Sequence, residues 1–390
     1  MTLHPRLQDR NTMKILLIEP YYTGSHAAWV DGIMKYSRHD VSLLKLPGRY
    51  WKWRMHGGSV TLAKRFLSLG FSPDLIIVTD MLDLPSFMAL TRKKTYAIPI
   101  ITYFHENQLT YPWSPTDRDI INKRDMHYAF INYMSAMVSD HVFFNSRFHM
   151  ESFADALPGF LKHFPDYNEL STVNFIKERS DVLPLGIELS RFDQYRPSQC
   201  ELNPRPSPHG KDKGPLVLWN HRWEYDKNPG LFFSALCELS LKGLAFRVVV
   251  LGEKFGKIPR EFEEAKERLG SKIIKFGYAD SFEEYAYWLW RSDILPVTSI
   301  QDFFGISIME ALYCGCVPCL PKRLTYPELV PVHDFEEYFY DDDSEYISTL
   351  ERIMLDHGSL DRPLFRQIAS GYDWSVMIDR YDTVFEGILR

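Results

Sequence analysis

The apolar positions along the chain follow two alternating spacings. Continuous apolar runs of strand length lie at Lys14–Pro20, 41–46, Leu75–Thr79, Ile100–Phe104 and Val142–Asn145. Between them the apolar residues recur at helical spacing, as at Ala27, Val30, Ile33 and Met34, and across 119–138. Unbroken apolar runs predict strands buried on both faces, and strand–helix alternation predicts a parallel sheet covered by helices. The pattern restarts at Leu216–Trp219 and continues through Phe246–Leu251, Ile273–Phe276, Ile294–Pro296 and Val317–Leu320. Helical segments at about 228–241, 259–269, 281–291 and 305–314 fill the gaps. A stretch rich in Pro and polar residues, 196–210, separates the halves and reads as a linker. The expectation is an α/β chain of two doubly wound parallel sheets with a cleft between them. Ligands of such sheets bind at the carboxyl ends of strands, so the residues after each strand are the ones to inspect.

Composition narrows this picture. The 390 residues, 45% apolar and 25% charged, suit folded domains and exclude disorder over most of the chain. No run of 18 apolar residues offers a membrane-spanning helix. The first twelve residues lack an apolar signal segment and read as a loose extension, and five cysteines do not make a disulfide framework. The cytoplasm is the expected compartment. Charge is uneven: residues 1–150 carry 18 Lys and Arg against 12 Asp and Glu, a net of +6, and the remainder carries 27 against 39, a net of −12. The first third therefore either faces a polyanion or shows ordinary surface fluctuation.

Several strand exits carry chemistry. Thr23-Gly24-Ser25-His26 follows the first strand and reads either as an anion-binding approach to a helix N-terminus or as a tight turn capped by Ser25. His105, Glu106 and Asn107 follow a buried strand, where such groups are costly to bury without purpose. They suit sugar hydroxyls better than a metal, because no second His or Cys sits at ligand spacing. In Asn220–Pro229, Arg222 and Lys227 stand five apart between a strand end and a helix start. They make a diphosphate receptor that needs no metal, with Asn228 as helix cap and Pro229 in the first turn. Asp302 and Glu310, eight apart around Gly305, place a carboxylate where a vicinal diol such as a ribose donates two hydrogen bonds. Cys314, Cys316 and Cys319 flank an apolar strand and read as buried thiols rather than a zinc site. Arg49, Trp51, Lys52, Trp53 and Arg54 interleave cations with rings, which suits phosphate contact and base stacking. The alternative is a surface loop whose rings pack on the sheet.

Phe104–Leu109, His221–Lys227 and Tyr313–Cys316, together with Trp51–Arg54 and Phe144–Ser146, resemble signature stretches of the retaining family 4 glycosyltransferases of GT-B fold, and within them the branch that mannosylates queuosine in tRNA. The resemblance runs from about residue 13 to 390. It implies two Rossmann-like domains facing across a cleft: an acceptor domain at 13–190, a linker at 191–214 and a nucleotide-sugar domain at 215–370. It also implies a helix at 371–390 that crosses back to the first domain. The implied donor is GDP-mannose and the implied acceptor is queuosine in the anticodon of tRNA-Asp. Neither a metal nor a stable membrane contact is expected. Arg222 and Lys227 are implied to hold the diphosphate and Glu310 the ribose. Asp302 is implied to reach the sugar, and His105 to lie near the reacting carbon. Gly24, Ser25, Gly277, Tyr278, Gly305 and Ile306 are implied to line the donor, and Arg49, Trp51, Lys52, Trp53, Arg54, Glu106 and Asn107 to serve the tRNA. The family usually carries Glu at the first acid, where this chain has Asp302, one methylene shorter. A transferase acting on a lipid or glycan, or a binding protein without chemistry, are the rival expectations.

Overall fold

A computed structural model describes residues 12–114, 117, 119, 126–198, 214–253 and 258–389. Two compact units divide the chain: 1–187 with 374–390, and 188–373. Most of the expected extension at 1–12 and of the linker at 191–214 lies outside the described residues, as does Lys123-Arg124, two cations that add to the positive charge of the first third.

The first unit holds strands β1 (Lys14–Tyr22), β2 (Asp40–Pro47), β3 (Leu75–Thr79), β4 (Ile100–Phe104), β5 (His141–Phe144) and β6 (Ser180–Val182). All pair in parallel, in the order β2-β1-β3-β4-β5-β6. Strand order reverses at β1, so β1 and β3 flank the switch point where doubly wound sheets take ligands. β3 and β4 are buried along their whole length, as continuous apolar runs require of a central strand. The register of β1 against β2 slips between Glu19 and Tyr22, around Pro20, which has no N–H to donate. The closing helix Trp374–Ile388 belongs to this unit. Its Trp374 occupies a slot that only glycines leave open. A Cβ on Gly32 would come within 2.0 Å of the indole, and one on Gly186 within 2.4 Å. The Tyr381 hydroxyl accepts from the Trp29 indole N–H at 2.9 Å and donates to the Pro184 carbonyl at 2.9 Å.

The second unit holds β7 (Leu216–Trp219), β8 (Arg247–Val250), β9 (Ile273–Phe276), β10 (Ile294–Pro296), β11 (Val317–Pro321) and β12 (Phe339–Tyr340), in the order β12-β11-β10-β7-β8-β9, again all parallel. Here β7 and β10 flank the switch point. Trp219, fully buried, packs against Phe232, Phe233 and Phe262, and Trp223 stacks on Phe262 at 4.3 Å. These rings fix the β7 exit, from which the polar stretch Asn220–Lys227 emerges. Among the described residues, no helix is long and apolar enough to cross a membrane.

Candidate active site

In the second unit the β7 and β10 exits bring the sequence-marked residues together. Lys227 is nearly buried in a short helical turn, Tyr225–Lys227. Its ammonium donates to Asp302 at 2.9 Å and to the Gln301 carbonyl at 2.8 Å, and lies 3.1 Å from Asp226. Burial alone would favour loss of its proton, but the two carboxylates hold it charged and its pKa raised. For Asp302, burial acts upward and Lys227 downward, and the ion pair wins, keeping it below its ordinary value. Its second oxygen accepts from the Tyr326 hydroxyl at 2.7 Å. Both Asp302 oxygens are thus already engaged within the unit.

Asn228 sits in the left-handed region at φ 51° and caps helix Pro229–Leu241, accepting from the Leu231 N–H at 3.4 Å, with Pro229 first in the helix. Arg222 is about half exposed, with a side chain at 48%, and reaches Glu224 at 3.9 Å. Gly305, at φ 97°, precedes helix Ile306–Tyr313; a Cβ there would be strained by the backbone and would crowd Ile308 at 3.1 Å. Glu310 lies one turn further along and accepts from the Tyr285 hydroxyl at 2.7 Å. Burial lifts its carboxyl to about 7, against the opposing pull of that hydrogen bond. The amide of Asn220 donates to the Ser307 carbonyl at 2.7 Å and to the Tyr285 hydroxyl at 3.3 Å, tying the β7 exit to the Glu310 helix.

Beside this group a cavity of about 450 Å³ is lined by Asn220, Arg222, Glu253, Tyr278, Phe282 and Tyr285, among others. Tyr278 is exposed, and Gly277 before it adopts φ 123°. Asp226, Tyr285 and Tyr326 complete the site without having been singled out in the sequence. The aspartate was hidden inside the motif it supports, and single tyrosines have no spacing signature.

In the first unit, His105 is buried at the end of β4. Glu106 accepts from Gln108 at 2.9 Å. Asn107 spends its side-chain oxygen on the N–H groups of Leu109 and Thr110, at 3.0 and 2.8 Å, so it shapes its own loop. Along the chain no second His or Cys stands at ligand spacing from His105, but the fold brings His26 beside it. Glu19 within β1, His26 in the helix after it and His105 after β4, all buried, bring side-chain oxygen and nitrogen atoms within 4.8 Å of one another. Spacing along the chain missed His26 because strand order, not sequence distance, brings it there. Gly24 at φ 51° and Ser25 are exposed in the first turn of helix Gly24–Tyr36. The cap position falls on Thr23, not on Ser25.

The basic-aromatic stretch opens helix Trp51–Leu67, where the alternative reading had a surface loop. Trp51 packs on Tyr128 at 5.0 Å and near Trp113 at 6.3 Å. Lys52 binds Asp117 at 2.6 Å and Asp119 at 2.5 Å. Arg54 donates to the Pro47 carbonyl at 3.1 Å. Arg49, Tyr50 and Trp53 are exposed, the last at 63%. Cys314, Cys316 and Cys319 are buried thiols, as expected.

Known proteins match both units. The family described as tRNA-queuosine alpha-mannosyltransferase N-terminal matches residues 14–187, and that described as glycosyl transferases group 1 matches residues 204–356. The tRNA-queuosine alpha-mannosyltransferase of Drosophila melanogaster is 34% identical over 324 residues, 81% of each chain. Among solved structures, the catalytic domain of starch synthase IV from Arabidopsis thaliana, bound to ADP and acarbose, superimposes with a TM-score of 0.73 at 13% identity, over 97% of this chain and 100% of that one. HepE from Anabaena in complex with UDP gives 0.65 at 14% identity, over 96% and 100%. These two likenesses carry the fold, two parallel six-stranded sheets of the GT-B kind. With both units matched and such identity across most of its length, the chain is a glycosyltransferase and belongs to the tRNA-queuosine alpha-mannosyltransferase family.

Proposed function

We propose that the enzyme transfers mannose from GDP-mannose to queuosine in the anticodon of tRNA, tRNA-Asp in particular, with retention at the anomeric carbon. The observation that carries this reading is 34% identity over 81% of a relative named for that activity. The geometry supports it with a group suited to a nucleotide sugar. Glu310, held by Tyr285, offers carboxylate oxygens for the ribose diol. Arg222 supplies an accessible guanidinium for the diphosphate, and Lys227 a buried positive charge behind it. The N-terminus of helix Ile306–Tyr313, which carries no side-chain cap, adds its positive end. Fixed positive charge at the departing diphosphate is the main catalytic contribution, and the diphosphate helps take the proton of the incoming hydroxyl. Asp302 keeps Lys227 charged rather than reaching the sugar itself.

His105, on the first unit, is assigned to the sugar side of the reaction. The exposed Arg49, Tyr50 and Trp53, with the half-buried Arg54 beside them, are assigned to the tRNA. No metal is required, since cationic side chains neutralise the leaving group, and a cytoplasmic enzyme without stable membrane association fits a tRNA acceptor. The test is incubation with GDP-mannose and queuosine-containing tRNA, with and without chelator. Transfer that survives chelation supports the reading, and transfer that needs an added divalent cation rejects its metal-free part.

A further inference from the structure

His105 is held from two sides by its main chain. Its N–H donates to Asp80 Oδ1 at 2.8 Å, and its carbonyl accepts from Asn145 Nδ2 at 2.9 Å. Its ring is buried, yet among the described residues neither ring nitrogen has a hydrogen-bond partner. Buried polar atoms left unsatisfied are rare and mark a place where something else is bound or needed. Trp29, edge-on at 4.9 Å, and Tyr103 at 4.9 Å close its apolar sides. Against another face lies the ring of His26, at 4.2 Å between centroids. His26 Nδ1 is 3.0 Å from Glu19 Oε2, and the other Glu19 oxygen accepts from the Tyr21 N–H at 2.6 Å. Glu19 is fully buried at the point where β1 slips register, and His26 lies in the first turns of the following helix. A buried ion pair of this kind adds little to stability over an apolar pair, so another role is needed to account for it.

We propose that Glu19 and His26 form a fixed carboxylate–imidazolium pair that positions His105 and keeps its ring uncharged for the sugar side of the transfer. The inference rests on the assignment of His105 to that side. Electrostatics agree with the contacts. Burial acts to lower His26, but the charge and hydrogen bond of Glu19, with Asp80 and Glu106 adding to them, bring it up to about 9. Burial, and then the charge on His26, push His105 well below its ordinary value. Burial lifts Asp80 to about 8, against the pull of His26. The groups facing His26 are therefore Glu19 on β1, Tyr21 edge-on, Asp80 after β3, and His105 and Glu106 after β4. The imidazolium of His26, hydrogen-bonded to Glu19, thus lies against the neutral imidazole of His105.

The proposal fixes a sign. Turnover falls as pH rises through about 9, because His26 then loses the charge that ties it to Glu19 and its hold on His105, whose own ring is neutral on both sides of that pH. Glu19→Gln removes the group that raises His26, so this alkaline limb moves towards acid by at least about one pH unit. Both Glu19→Gln and His26→Gln are expected to lower kcat at least about tenfold while the KM for the donor stays within about twofold, and Glu19→Asp recovers part of the loss. The measurement is kcat and KM against pH for these variants and for His105→Ala, using GDP-mannose and queuosine-containing tRNA. A loss of kcat with an unmoved alkaline limb, or wild-type kcat in both variants, overturns the positioning role. Full activity in His105→Ala instead overturns the assignment of His105 beneath it. Should Glu19→Gln fail to fold, the imidazole nitrogen resonances of the wild-type enzyme decide. His26 doubly protonated up to about pH 8 beside a neutral His105 supports the pair, and the reverse rejects it.

Discussion

Lys227 and Asp302 meet at 2.9 Å, and the same ammonium lies 3.1 Å from Asp226. One buried cation thus stands between two carboxylates, so Lys227 holds the β7 and β10 exits together as well as carrying charge. Lys227→Ala leaves two acids facing each other. It should cost about 3–5 kcal/mol of stability in addition to a loss of turnover of a hundredfold or more. Arg222, about half exposed, should lose comparable turnover on change to Ala with little change in Tm. Thermal melts beside kcat/KM separate the two, and equal Tm losses would contradict the division of roles.

Glu310 gives the nucleotide site a pH dependence. Its folded pKa is raised to about 7, so below that pH it is largely protonated and loses acceptors for the ribose. Affinity for GDP should therefore rise as pH increases from 6 to 8. In Glu310→Gln that rise should shrink to the part contributed by the phosphate. Calorimetric titration of GDP at several pH values checks this, and identical pH profiles in the two proteins would remove Glu310 from the ribose.

The cations of the 49–54 stretch should separate by what they already bind. Arg49 and Arg54, changed together to Ala, should weaken tRNA binding and flatten its salt slope by roughly 1.5, because two phosphate contacts are lost. Lys52→Ala should act on stability instead, since its charge is taken up by Asp117 and Asp119 beside Trp51. Binding measured across salt concentrations distinguishes them. A steeper effect from Lys52 than from the arginine pair would reverse the assignment.

Strands with continuous apolar runs were legible, and β1, β3, β4 and β7 fall where the pattern puts them. β6 and β12, with three and two residues, are too short to carry a periodic signal and exist because a neighbouring strand offers them hydrogen bonds. The β7 and β10 exits were legible because their polar residues crowd a short stretch. The Glu19–His26–His105 group was not, since it depends on β1, β3 and β4 being neighbours in the sheet. The pairing of Lys52 in the Trp51–Arg54 stretch was hidden for a related reason. The carboxylates that neutralise Lys52 come from far along the chain and cannot be read from local charge.

The central claim is mannosyl transfer to queuosine in tRNA. It is tested most directly by mass spectrometry of nucleosides from queuosine-containing tRNA after incubation with purified enzyme and GDP-mannose. The account predicts queuosine heavier by one hexose, released by α-mannosidase, and absent with UDP-glucose as donor or with tRNA lacking queuosine. Unmodified queuosine alongside consumption of GDP-mannose on another acceptor would contradict it.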